Sequence, residues 1–280
     1  MSSLTQDPYA DPRAFYGSEL CRLREEAGFT QVALGELAFC SGSYIGQFEK
    51  AVRRPQLELS KLFDEILGSG KHLQRLCLLA RASKVADYFA DAADLERQAT
   101  VLSEFSPMLV PGLLQTEAYA RALIRAARRF DPQQTIDDIV SARMERTQLL
   151  DGPSAPVDWT IIHETALRLP TGGAAVMAEQ LGHLAHLLRS RPNIVLQVMP
   201  FSAGPHPFLG CLVSLMQFSD APPVLYTESA YNGWVIDEPT VVARYQSAYD
   251  LARAAALSPE ASLDLIESAA KDWAKDGQHS

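Results

Sequence analysis

The sequence predicts an all-α, five-helix N-terminal domain followed by an α+β C-terminal domain with a small, mainly antiparallel sheet. Three observations carry that expectation. Apolar residues recur at helical spacing from Phe15 to Arg81. Short β-branched or alternating runs, bounded by Pro, Gly and Asp, appear only from Val157 onward. The 280 residues suffice for two cores of ordinary size.

The elements follow in order. Residues 1–13 offer no apolar pattern and are expected to be loosely ordered. Phe15, Leu20, Leu23 and Ala27 share one face of a first helix, which Gly28 stops. Thr30 is a natural N-cap for a helix from Gln31 to Ala38, and Ser41 for one from Gly42 to about Lys50. Arg53-Arg54-Pro55 breaks the chain, and Leu59, Leu62, Phe63 and Ile66 then form an amphipathic helix closed by Gly68. A fifth helix covers Lys71–Arg81, so the first domain spans 14–81 and a connecting helix 82–99.

The second domain, 100–280, has helical periods over Thr116–Arg129, Pro132–Leu150 and Gly173–Arg189. Strands are predicted at Val157–His163, Ile194–Met199, Leu212–Phe218 and Val224–Glu228. Ser219-Asp220-Ala221-Pro222 reads as a hairpin turn, and two closing helices end the chain, the second opening at Ser258-Pro259-Glu260.

Composition narrows the function. With 47% hydrophobic and 21% charged residues the chain has the make-up of a globular protein. No apolar run reaches the ~18 residues that cross a bilayer, and the first residues lack a basic start and an apolar stretch, so a cytoplasmic location is expected. The four cysteines lie far apart, as packed thiols do. There is no G-x-S-x-G, Walker loop, G-x-G-x-x-G or H-E-x-x-H, so no catalytic residue, cofactor or metal is assigned and no enzyme is expected. The net charge of −9 runs against DNA binding, but the N-terminal part is roughly balanced. An acidic second domain would weaken non-specific phosphate attraction and leave affinity to base contacts and dimerisation.

The informative stretch is Thr30 to Pro55, TQVALGELAFCSGSYIGQFEKAVRRP. Two capped helices separated by about three residues cross at a wide angle. Leu34, Ala38, Cys40, Ile45 and Phe48 converge between them, and Gly35 is small where they cross closest. Gly42, Ser43, Tyr44, Gln47 and Lys50 are expected to face outward, a polar and short-chained surface suited to base edges. An ordinary helical hairpin shows the same pattern, so spacing alone leaves both readings open.

These residues resemble the Xre-type (lambda-repressor-like) helix-turn-helix regulators. The match runs without a gap through Leu23-Arg24, Gly28, Thr30-Gln31, Leu34, Ala38, Ser41, Ser43, Ile45, Glu49, Arg53 and Pro55. It departs at Phe39, where the family usually has glycine, and at Gly42, where a long polar side chain is common. LVPGLLQTEAYARALI (Leu109–Ile124), ARMERTQLL (Ala142–Leu150), His163-Glu164 and the closing LSPEASLDLIESAA resemble the C-terminal domain of actinomycete Xre regulators, WhiJ-like or antitoxin-like. That domain has no settled chemistry.

The resemblance implies a repressor that binds double-stranded DNA, as a homodimer on a palindromic operator, with a small protein encoded nearby as a further partner and no membrane. Under it, Gln47 is the base reader through its amide, with Ser41, Gly42, Ser43, Tyr44 and Lys50 on the same surface. Gln31 anchors a phosphate, and Arg53 and Arg54 bind the DNA backbone. Arg24 and Glu49 form a structural ion pair. Two other readings remain: a metabolite sensor with a pocket at His163, Glu164, His206 and Glu228, and an antitoxin-like protein acting mainly through protein contacts. His183 and His186 could join the other histidines around zinc, but nothing in the sequence makes them converge. Arg121, Arg125, Arg128 and Arg129 form a basic helix face, open to contact with DNA or a partner but more commonly just solvated.

Overall fold

In the computed structural model, which describes residues 12–82, 88–229 and 232–278, the chain divides into two compact units. The first runs to Leu95 and includes the segment Phe218–Pro222; the second takes Glu96–Gln217 and the chain from Pro223 onward.

The first unit contains α1 (Pro12–Glu26), α2 (Gln31–Leu37), α3 (Gly42–Glu49), α4 (Leu57–Leu67) and α5 (His72–Ala82), and α6 (Tyr88–Glu96) ends at its boundary. The expected caps are in place: Thr30 Oγ1 accepts from the Ala33 amide at 3.1 Å and Ser41 Oγ from the Tyr44 amide at 3.0 Å. Gly68 ends α4 at φ +65°. Tyr16, Leu20, Leu34, Ile45, Phe48, Phe63 and Leu73 fill one core. The only polar tip among those seven, the Tyr16 hydroxyl, meets Ser60 Oγ at 2.8 Å, which satisfies a group that burial would otherwise penalise. Asp64, also buried, accepts from Ser69 Oγ and from the amides of Leu73 and Gln74, and so caps α5. The expectation of a loosely ordered start falls mainly on residues outside the described ones, and α1 already begins at Pro12.

The second unit is built on β1 (Val101–Ser106), α7 (Glu117–Ala127), α8 (Gln133–Thr147), β2 (Val157–His163), α9 (Thr165–Arg168), α10 (Ala174–Ser190), β3 (Ile194–Met199), β4 (Leu212–Gln217), β5 (Val224–Ser229), β6 (Asn232–Ile236), α11 (Pro239–Ala255) and α12 (Pro259–Asp276). The six-stranded sheet has the order β3-β2-β1-β4-β5-β6. β1, β2 and β3 pair in parallel, and β1, β4, β5 and β6 antiparallel. The sheet is therefore mixed and larger than the four predicted strands. Parallel pairing follows from the long helical crossovers before β2 and β3, whereas the tight turn at 218–222 makes β4 and β5 antiparallel.

Strand register sorts the side chains onto two faces. Phe105, Ile161, Met199, Val213, Leu215 and Leu225 lie on one, packed under Val242, Tyr249 and Ala252 of α11. Glu104, Thr160, Ser214 and Tyr226 pair side by side on the other, with Asp158 and Glu228 two residues along their strands. β1 escaped prediction because Ser103, Glu104 and Ser106 interrupt its apolar run, although all three are buried.

Candidate functional site

The crossing of α2 and α3 is set by small residues and one ion pair. A Cβ at Gly35 would lie 2.7 Å from the Cys40 carbonyl oxygen, closer than such atoms approach, so glycine fixes how near the turn passes to α2. At Gly42 a Cβ would meet Val32 at 2.9 Å, which explains why the long side chain common in the resembled family is replaced by none. Phe39 sits at φ +55°, the left-handed conformation that a glycine adopts freely, with its ring 92% exposed. The turn thus keeps a glycine-like backbone while carrying a phenylalanine.

Arg24 of α1 holds Glu49 at the end of α3, with Nε to Oε1 at 2.5 Å and Nη2 to Oε2 at 3.1 Å. Both side chains are more than nine-tenths buried. Arg24 Nη1 also donates to the Phe29 carbonyl at 2.8 Å, so α1, the loop before α2, and α3 are tied at one point. Gln31 Nε2 donates to Glu49 Oε2 at 2.7 Å. The Gln31 amide is thus directed at the ion pair and shares Glu49 Oε2 with Arg24 Nη2.

On α3, Ser43 and Lys50 are exposed, and Gly42, Gln47 and Ser41 half-buried. Tyr44 departs from the outward placement expected for it. Its ring is 2% exposed, packs 4.7 Å from Phe48, and its hydroxyl accepts from Gln56 Nε2 at 3.0 Å, because core contact and a satisfied hydroxyl outweigh exposure. Arg53 also departs from expectation. It is 3% exposed, lies over the Phe218 ring at 4.2 Å and the Tyr44 ring at 5.6 Å, and donates to the Pro222 carbonyl at 3.3 Å. Guanidinium stacking on aromatic faces accounts for this burial better than phosphate binding does. Its Nε donates to Gln47 Oε1 at 3.1 Å, which orients the carboxamide and leaves Gln47 Nε2 as the outward donor. Ser41 Oγ donates to the Asp220 carbonyl at 2.7 Å in addition to its capping role. Arg54 is half-buried.

The four residues expected to line a pocket in the second unit do not converge. His163 and His206 do meet, with ring centroids 5.8 Å apart, and burial lowers the pKa of each. Glu164 adjoins them but accepts from the Phe201 amide at 3.1 Å. Glu228 lies on the opposite face of the sheet from His163 and accepts from the Tyr226 hydroxyl at 2.8 Å. Alternation along the strands separates them, an effect invisible until strand order is known. Among the described residues no group of three or more His, Cys, Asp or Glu side chains is placed to hold a metal ion. No helix among them is long and apolar enough to cross a membrane.

Two capped helices, locked by a buried ion pair and offering a short polar face, define a helix-turn-helix protein of the DNA-binding kind. The family comparison agrees: residues 16–76 match the family described as a helix-turn-helix domain. Residues 89–268 match the family described as a domain of unknown function, DUF5753, and since that match covers more than half of the chain, the protein belongs to that family. No curated protein and no solved structure matches the chain.

Proposed function

We propose that the protein is a transcriptional regulator, acting as a repressor, that reads a specific operator through α3. The observation that carries this reading is the locked α2–α3 pair with Ser43, Gln47 and Lys50 along one face. Gln47 Nε2 donates to an acceptor on a base edge, Ser43 adds a short polar contact, and Lys50 neutralises phosphate. Arg53 acts by holding the Gln47 carboxamide in place, and half-buried Arg54 is the arginine assigned to the backbone. The protein binds as a homodimer to two half-sites about one helical turn (~34 Å) apart, with the C-terminal domain responsible for dimerisation and for a small regulatory protein encoded nearby. The similarity to actinomycete Xre regulators of the WhiJ-like kind supports these last assignments.

The test is a gel-shift titration of the full chain on DNA from upstream of its own gene, against a scrambled duplex of equal length. Tighter binding to the natural sequence, with two-fold symmetry in a footprint, is expected. Equal affinity for both duplexes at every salt concentration would refute the reading. Light scattering of the free protein checks the dimer.

A further inference from the structure

We propose that the turn Phe218–Pro222 is a displaceable mask beside α3: while it is seated α3 cannot sink into a DNA groove, and operator binding requires the turn to leave. The proposal rests on the reading of α3 as the DNA-recognition helix and concerns the regulation of that same surface.

The turn connects β4 to β5 and packs within the first unit. Its contacts run along one edge of α3. The Asp220 carbonyl accepts from Ser41 Oγ at 2.7 Å, at the residue that caps the helix. The Pro222 carbonyl accepts from Arg53 Nη2 at 3.3 Å, and the Phe218 ring centroid lies 4.2 Å from the same guanidinium. Half-buried Ala221 packs against the core that holds Tyr44, Ile45 and Phe48. Arg53 in turn reaches the Tyr44 ring and the Gln47 carboxamide, so the turn borders α3 from its cap towards Gln47.

These are contacts that exchange readily. Both hydrogen bonds end on neutral main-chain carbonyls of the turn, and Ser219, Asp220 and Pro222 are already exposed. When the turn leaves, Ser41 keeps its cap on the Tyr44 amide, and a phosphate oxygen replaces the acceptor that its hydroxyl loses. Arg53 keeps the Tyr44 ring and Gln47 Oε1. Met216 pairs with Val224 at the base of the hairpin, which pins both ends of the turn and makes it move as one piece.

Dimensions decide that turn and duplex compete. An α-helix with its side chains is about 10–12 Å across, and the major groove is about 12 Å wide, so the helix alone fills it. A second stretch of backbone within hydrogen-bond distance of the helix cap has no room in the same groove. Ser43 and Lys50 stay exposed, so the mask acts by its bulk beside the reading row and not by covering it. Phosphate contacts made from outside the groove do not need α3 to enter. The mask therefore weakens specific binding and spares non-specific binding. A site open in only a fraction of molecules binds with its affinity reduced by that fraction.

The experiment is a gel-shift titration of the full chain, as wild type, Phe218→Ala and Ala221→Gln, on the DNA upstream of its own gene and on a scrambled duplex. Neither substitution changes the net charge. The first removes the ring under Arg53, and the second sets a longer polar side chain where alanine packs on the core. Each variant is expected to bind the natural duplex about tenfold tighter, the gain for a turn seated in roughly nine molecules of ten. Affinity for the scrambled duplex should stay the same. Circular dichroism establishes that each variant is folded, and Ala221→Gln tests the mask alone if Phe218→Ala is not. Equal or weaker binding of the natural duplex by folded variants overturns the proposal, because the turn then braces α3. A matching gain on both duplexes overturns it as well, since the release then acts outside the groove. If neither the wild type nor any folded variant prefers the natural duplex, the DNA reading itself has failed and the mask falls with it.

Discussion

Arg24 and Glu49 are twenty-five residues apart in sequence and share two hydrogen bonds, at 2.5 and 3.1 Å, with both side chains nearly excluded from water. The pair clamps α1 to the end of α3 and carries Gln31 of α2 with it. Removing Glu49 leaves a buried guanidinium with only the exposed Glu25 carboxylate, at 3.3 Å, as counter-charge. Glu49→Ala is expected to destabilise the first unit by about 3–5 kcal/mol, read by urea denaturation. A loss below about 1 kcal/mol would mean that water screens the pair.

Phe39 holds a left-handed backbone with an exposed ring. Such a conformation costs an L-residue roughly 1–2 kcal/mol, part of which glycine returns through a freer unfolded chain. Phe39→Gly should therefore raise stability by about 0.5–1 kcal/mol, seen as a higher urea midpoint with unchanged slope. A lower midpoint would show that the ring contributes packing.

Gln47 and Lys50 should separate in a DNA titration. Gln47→Ala is expected to relax the preference for the natural operator while the fold stays intact. Lys50→Ala should weaken all duplexes alike and reduce the salt slope by about one. Arg53→Ala should behave as a Gln47 variant that is also less stable, because the guanidinium is buried and orients the carboxamide. Retained base preference in both Gln47 and Arg53 variants would take them off the reading surface.

Asp158 gives stability a pH dependence of one sign. Burial pushes its carboxyl up to about 7, against about 4 in an unfolded chain. Between those values the folded form holds a proton that the unfolded form has released, so stability falls as pH rises, by up to about 1.4 kcal/mol per unit. Asp158→Asn should lose that contribution, so the variant gains on the wild type between pH 5 and pH 8 in paired urea melts. Equal gaps at both pH values would show that the group titrates normally.

Asp64 acts with the opposite sign. Burial alone would raise its pKa, but hydrogen bonds from Ser69, Leu73 and Gln74 outweigh that and lower it. Its contribution is complete above the unfolded value of about 4 and is lost as pH falls through the folded one. Asp64→Ala should cost about 1.5–3 kcal/mol at pH 7 and progressively less in acid. A constant cost down to pH 2 would assign the effect to packing instead.

Much of the first unit was legible in the chain because its signals are local. Thr30 and Ser41 cap the helices they precede, Gly68 ends another, and the apolar period places Leu34, Ile45 and Phe48 in the core. Arg24 and Glu49 came from resemblance, since nothing local links residues so far apart. The inward turn of Tyr44, the capture of Arg53 by Phe218, and the binding of Gln31 to Glu49 depend on neighbours supplied by distant sequence.

The helix-turn-helix order, its caps, and the α+β character of the rest are properties the sequence determined by itself, because each rests on periodicity and on side chains bonding a few residues away. The tertiary structure decided the parallel half of the sheet, the separation of Glu228 from His163, and the gathering of Glu104, Asp158 and Glu228 on one face. Strand order is fixed by crossovers tens of residues long, and only that order tells which side chains share a face. A buried glutamate in the middle of a strand reads as a break in the pattern until its neighbours are in place.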